Sequence, residues 1–254
     1  MRLIRCGYLL VLTLMTGLAQ AEEINVAVAS NFTAAMKEIT AEFEKLSGHK
    51  VQLSFGSSGK FFAQIKHGAP FQVFLSADQD KPLALEQAGL IVPNSRFTYA
   101  VGALALWSSQ YGFMDNDATR LKNGDFNKLA LANPKLAPYG SAAVEVLEKL
   151  GLKEATVSKW IQGENILQTY QFVSSGNADL GFVALSQIMA AGQLSAGSAW
   201  IIPADLYPPI RQDAVLLRTG RNSTAARALL QFLRSAQGRE TIESYGYTTT
   251  SASP

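Results

Sequence analysis

The chain has 254 residues, 22 Lys+Arg against 20 Asp+Glu, and a single cysteine. A near-balanced charge argues against nucleic-acid binding, which needs a basic excess. One cysteine excludes an internal disulfide framework.

Residues 1–21 read as a secretory leader. Arg2 and Arg5 give a positive start, Tyr8 to Leu18 an apolar run too short to span a bilayer, and Ala19-Gln20-Ala21 a small-x-small cleavage site. Cleavage after Ala21 removes Cys6 and both arginines, leaving 20 Lys+Arg against 20 Asp+Glu. Cys6 precedes the apolar run and is badly placed for a lipid anchor. An exported, thiol-free chain suits a bacterial periplasm.

Ile24 to Ala29 reads as a buried strand, and Ser30 or Asn31 can cap the helix after it. That helix carries Phe32, Ala35, Met36, Ile39, Phe43 and Leu46 at helical spacing and stops at Gly48. Val51 to Phe55 is a second strand. The turn Gly56-Ser57-Ser58-Gly59 and a helix ending near Gly68 follow it. Phe71 to Leu75 is a third strand, and Asp80 caps a helix ending at Gly89. This βαβαβα order predicts a parallel sheet flanked by helices.

Tyr99 to Trp107 reads as one long strand, followed by a turn-rich stretch from Ser108 to Asn127. Leu129 to Ala132 and Leu180 to Ala184 are further strands. A helix bearing Ala143, Val144, Leu147 and Leu150 lies between them, and Ile166 opens a segment leading into another. Trp200 to Ile202 and Ala214 to Leu217 are the last strands. Two terminal helices follow, the first capped by Asn222 or Ser223 with Ala226, Leu229, Leu230 and Leu233 inward. The expected organisation is two α/β lobes, residues 22–98 with 200–254 and residues 99–199, with hinges near Thr98-Tyr99 and Trp200 to Pro203.

Two turns, Ser30-Asn31 and Ser57-Ser58, join a strand end to a helix start. Such turns point backbone N–H groups and hydroxyls outward, an arrangement that suits an anion. In isolation each is also an ordinary helix cap. The two histidines, His49 and His67, are too far apart in sequence to suggest a metal site. No Gly-x-Ser-x-Gly elbow supports an exported hydrolase.

Five blocks, in order, resemble the periplasmic molybdate-binding proteins of ABC transporters. They are Ala29 to Phe32, Phe55 to Gly59, Gly68 to Phe71 with Phe74 to Asp78, Asn133 to Gly140, and Ala178 to Ala184. The resemblance covers nearly the whole mature chain. It implies a two-lobe type II periplasmic binding protein fold with the ligand between the lobes, no enzymatic activity, no cofactor, and a monomer that docks on a membrane permease. It implies a molybdate or tungstate dianion held without charged side chains or direct metal ligands. The implied ligands are Ser30, Ser58 and the Asn31 N–H from one lobe, and the backbone at Tyr139 and Ile166 from the other. Many members of that family place a tyrosine at the position of Ala184, and here the Tyr139 phenol stands in for it. Sulfate, a smaller tetrahedral oxyanion, is the rival ligand.

Overall fold

The computed structural model describes residues 21–249 apart from 116, 118 and 191. Apart from Ala21, the expected leader lies outside the described residues. The chain opens β1 (Glu23–Ala29), a 3-10 turn (Ser30–Phe32), α1 (Thr33–Ser47), β2 (Lys50–Gly56), α2 (Ser58–Lys66), β3 (Val73–Leu75) and α3 (Asp80–Gln87). It continues β4 (Phe97–Gly102), β5 (Leu104–Ser108), α4 (Thr119–Asn123), β6 (Leu129–Ala132), α5 (Pro138–Lys149), α6 (Lys153–Thr156), β7 (Trp160–Gly163), α7 (Ile166–Ser174) and β8 (Leu180–Ala184). A short hairpin, β9 (Met189–Ala190) with β10 (Gln193–Leu194), precedes β11 (Ser198–Ile201), β12 (Ile210–Leu216), α8 (Thr224–Arg234) and α9 (Ala236–Ser244).

The strands form two five-stranded sheets, ordered β2-β1-β3-β12-β4 and β11-β5-β8-β6-β7. In the first, β1 pairs in parallel with β2 and β3, and β12 runs antiparallel to both β3 and β4. In the second, β6 pairs in parallel with β7 and β8, and β5 runs antiparallel to both β8 and β11. Each sheet therefore has one reversed strand, and both are mixed. The reversal follows from the chain leaving the first sheet by β4 and re-joining it by β12.

The run Tyr99 to Trp107 is two strands, not one. β4 belongs to the first sheet, β5 to the second, and Ala103 alone separates them. Likewise Trp200 lies in β11 of the second sheet, and the return to the first runs through residues 202–209. The expected boundaries at 98/99 and 199/200 thus cut through β4 and β11. Tyr99, Ala100 and Gly102 before Ala103, and Leu104 to Trp107 after it, are all buried, so the apolar run continues across the first crossing without a break. The two crossings are tied together: the Leu104 N–H donates to the Tyr207 hydroxyl at 3.0 Å, and the Ile202 N–H to the Leu104 carbonyl at 3.0 Å.

Helix α1 buries Ala35, Met36, Ile39 and Phe43 against the first sheet, whereas Leu46, in the last turn, is 63% exposed. Gly48 ends the helix in the left-handed region (φ 73°) and donates to the Glu44 carbonyl. The cap of α3 comes from Asp78, whose Oδ1 accepts from the Lys81 N–H, and not from Asp80, which is the first residue of the helix.

Glu22 fastens the start of the fold to its end. Its carboxylate accepts from the Ser223 hydroxyl and from Thr224 and the Ala225 N–H at the start of α8. Ser223 itself caps α8 by accepting from the Ala226 N–H. The bonds from Ser223 and then Thr224 pull the Glu22 carboxyl down to about 2 from an ordinary 4.5. The stabilisation is therefore fully present above pH ~4.5 and is lost as the pH falls towards about 2. Glu22→Gln should lower neutral-pH stability by up to about 1 kcal/mol, the site being solvent-screened. In melts at decreasing pH the difference from the unaltered chain should close. A constant gap down to pH ~2 would show that the charge is not what matters.

Candidate functional site

Ser30, Asn31, Ser58, Tyr139 and Ile166, separated widely in the chain, line one small cavity between the sheets. Ala29, Gly56, Ser57, Ala77, Ala137 and Pro138 complete its wall. The cavity is small, with room for about one water molecule. A groove of ≈ 410 Å³, rimmed by Asp78, Lys81, Glu145 and Arg211, adjoins it through Ala77, Ala137 and Pro138.

Four chain reversals aim at this cavity. Ser30 and Asn31 form the 3-10 turn at the end of β1. Ser58 is the first residue of α2, whose cap is Ser57: the Ser57 hydroxyl accepts from the Lys60 N–H at 3.3 Å. Tyr139 is the second residue of α5, which starts on Pro138 and has no side-chain cap. Ile166 is the first residue of α7, capped by Asn165, whose Oδ1 accepts from the Leu167 and Gln168 N–H groups. First-turn N–H groups have no acceptor within their own helix. Helix starts therefore present both donors and positive dipole ends.

The Ser58 hydroxyl keeps a proton to give, and Ser30 makes only one long contact. Ser58 Oγ accepts from the Ala77 N–H at 2.9 Å, which leaves its proton uncommitted. Ser30 Oγ has only a long contact, 3.3 Å, to Asn165 Oδ1. Tyr139 is 1% exposed, and its hydroxyl oxygen accepts from Gln212 Nε2 at 3.0 Å. Burial pushes the Tyr139 phenol well above its usual range, so it keeps its proton. The Asn31 amide is spent elsewhere. Its Nδ2 donates to Gln212 Oε1 at 2.8 Å and to the Tyr247 hydroxyl at 2.9 Å, so only the backbone N–H of Asn31 is left for the cavity. Ala184 is fully buried in the core of the second sheet and does not line the cavity.

No Lys, Arg, Asp, Glu or His lines this cavity. Lys60, the third residue of α2, is paired at 2.7 Å with Glu164 from the second lobe. Across the cleft the Gly59 N–H donates to the Leu136 carbonyl at 3.0 Å. Neither Gly56 nor Gly59 has a positive φ. Gly59 is needed because a Cβ there would lie 3.0 Å from the Leu136 backbone, so its role is close approach of the lobes and not chain curvature.

The arrangement suits an acceptor-only, compact anion. His49 Nδ1 accepts from the Glu22 N–H, and the His67 ring contacts the Ala63 carbonyl. Neither touches the cavity, and no hydroxyl bonds either ring among the described residues, which removes the support for a hydrolase. No cluster of three or more His, Cys, Asp or Glu able to hold a metal ion occurs among the described residues.

A model of bacterial extracellular solute-binding proteins matches residues 24–248. The chain belongs to that family. It is 56% identical over 229 residues to the molybdate-binding protein ModA of Azotobacter vinelandii, covering 90% of this chain and 91% of the relative. It is 48% identical over 241 residues to the molybdate-binding protein ModA of Rhodobacter capsulatus, covering 94% of each. A solved structure of a periplasmic molybdate-binding protein from Azotobacter vinelandii superposes with a TM-score of 0.87 at 38% identity, over 89% of this chain and 99% of that one. Family members of this kind bind solutes and are not enzymes, and the two-lobe architecture is theirs.

Sequence reasoning did not find Gln212, Tyr99, Ser186 or Tyr247, which form the buried polar layer behind Asn31. Ser186 Oγ and Tyr247 Oη both donate to the Asn31 carbonyl at 2.9 Å, and Tyr99 Oη donates to Gln212 Oε1 at 2.9 Å. The available signal was Gln212-Asp213, a polar pair on a strand whose next residues are all apolar.

Proposed function

We propose that this chain captures molybdate, and also tungstate, outside the cytoplasm and delivers it, as a monomer, to the permease of an ABC transporter. The observation that carries this is a cavity at converging helix starts, lined by hydroxyls and free amides and by no charged side chain. A tetrahedral dianion has acceptors only, and such a cage satisfies each of them. A protonated anion would set its own O–H against a donor, which costs about 1–3 kcal/mol for the group left unpaired. The identity to two named molybdate-binding proteins supports this ligand over others of the same shape. Ser30, Ser58, Tyr139 and the N–H groups of Asn31 and Ile166 are the proposed ligands. Export by residues 1–21, with cleavage after Ala21, is part of the same reading.

Calorimetric titration of the purified mature chain with molybdate, tungstate and sulfate tests it. Molybdate and tungstate should bind tightly, and sulfate at least about 100-fold more weakly. Sulfate binding as tight as molybdate would overturn the assignment.

A further inference from the structure

We infer that Gln212 is a positioning residue that fixes the direction of the Tyr139 hydroxyl, making it a donor towards the cavity. The inference rests on the oxyanion reading above and names a residue outside the cavity wall.

Gln212 is fully buried on β12, at the register shift where β12 and β4 fall out of step between Gln212 and Asp213. Its side chain bridges the lobes. Oε1 accepts from Asn31 Nδ2 and Tyr99 Oη, both in the first lobe, and Nε2 donates to Tyr139 Oη in the second. With two donors already on Oε1, the amide must turn Nε2 towards Tyr139. Tyr139 then accepts from Gln212 and has its own proton left to give. With the amide reversed, Tyr139 would spend its proton on Gln212 and present a lone pair to the cavity. An acceptor-only dianion would be repelled by that lone pair. Gln212 thus couples the Ser30-Asn31 turn to the opposite wall through a chain of bonds with one polarity.

The groups facing Gln212 are phenols: Tyr99 on β4, Tyr139 on α5, and Tyr247 after α9 through Asn31, with Tyr207 beyond Tyr139. Burial raises all four above their ordinary range. Asp213, the next residue, is turned away and held by Arg96, Thr98 and Gln79. Asp78 is paired with Lys81.

The test is Gln212→Glu, measured by molybdate calorimetry at about pH 8 and about pH 6. The introduced carboxyl, ionised, can only accept, so it draws the Tyr139 O–H hydrogen bond to itself and away from the cavity. Protonated, which burial favours, it reproduces the amide's donor and acceptor. Affinity should fall at least about 30-fold at the higher pH and recover at least about tenfold at the lower, while the unaltered chain changes little. Adding Tyr139→Phe should abolish the recovery. Affinity within about threefold of the unaltered chain at both pH values, an equal loss at both, or a recovery that survives Tyr139→Phe would each overturn the inference. If Gln212→Glu does not fold, Gln212→Met replaces it. There, molybdate should bind at least about tenfold more weakly and Tyr139→Phe should cost less than about threefold more, and unchanged affinity would overturn the inference. Loss of molybdate binding in the unaltered chain would instead strike the oxyanion reading.

Discussion

Gly102→Ala is expected to weaken molybdate binding roughly 10- to 100-fold, the value of one hydrogen bond to a charged ligand. Gly102 ends β4 beside the crossing between the lobes. A Cβ there would lie 1.9 Å from Tyr139 Oη and 2.6 Å from Gln212 Nε2. Neither partner has room to yield, because both residues are buried and Gln212 is held at both ends. Gly102 has no positive φ, so alanine brings no backbone strain of its own, and the whole effect comes from the collision. Overpacking should also cost about 1–3 kcal/mol of stability. Calorimetry with a thermal melt separates the two effects. Full affinity in the variant would mean that the Tyr139 hydroxyl is not a ligand.

Ser58→Ala should likewise reduce affinity roughly 10- to 100-fold, by removing a donor whose proton has no other use. It should also lower stability by about 1–3 kcal/mol without ligand, since the Ala77 N–H loses its only described acceptor. Ser57→Ala is the matched comparison. It removes the α2 cap at a cost of about 1 kcal/mol and leaves all the proposed ligands in place, so affinity should hold. A larger affinity loss for Ser57→Ala than for Ser58→Ala would exchange their roles.

Much of this molecule was legible in the sequence because its local signals agree with one another. The strand-turn-helix units carrying Ser30 and Ser58 were readable from alternation followed by a polar turn. Tyr139 and Ile166 came only from resemblance: Pro138 and Asn165 announce helix starts, but nothing local says that those starts face the other two. The lobe crossing was illegible because Ala103 lies inside one apolar run, its neighbours entering two different cores. The polar layer around Gln212 was hidden for the opposite reason. A glutamine just ahead of the expected strand Ala214 to Leu217 reads as a solvent-facing position, and only the tertiary structure brings Asn31, Tyr99 and Tyr139 to satisfy it.

The cavity wall has a consequence for how such a receptor can change its preference over generations. Where the donors leave gaps, Ala29, Ala77 and Ala137, one methyl group each and all buried, stand in the wall beside Gly56 and Pro138. With no ion pair in the wall, a substitution at these three places need not be matched by a second that restores charge. Radius can drift in steps of one methyl or one hydroxyl while the donors stay fixed. A change of size preference at these places therefore needs no compensating change of charge.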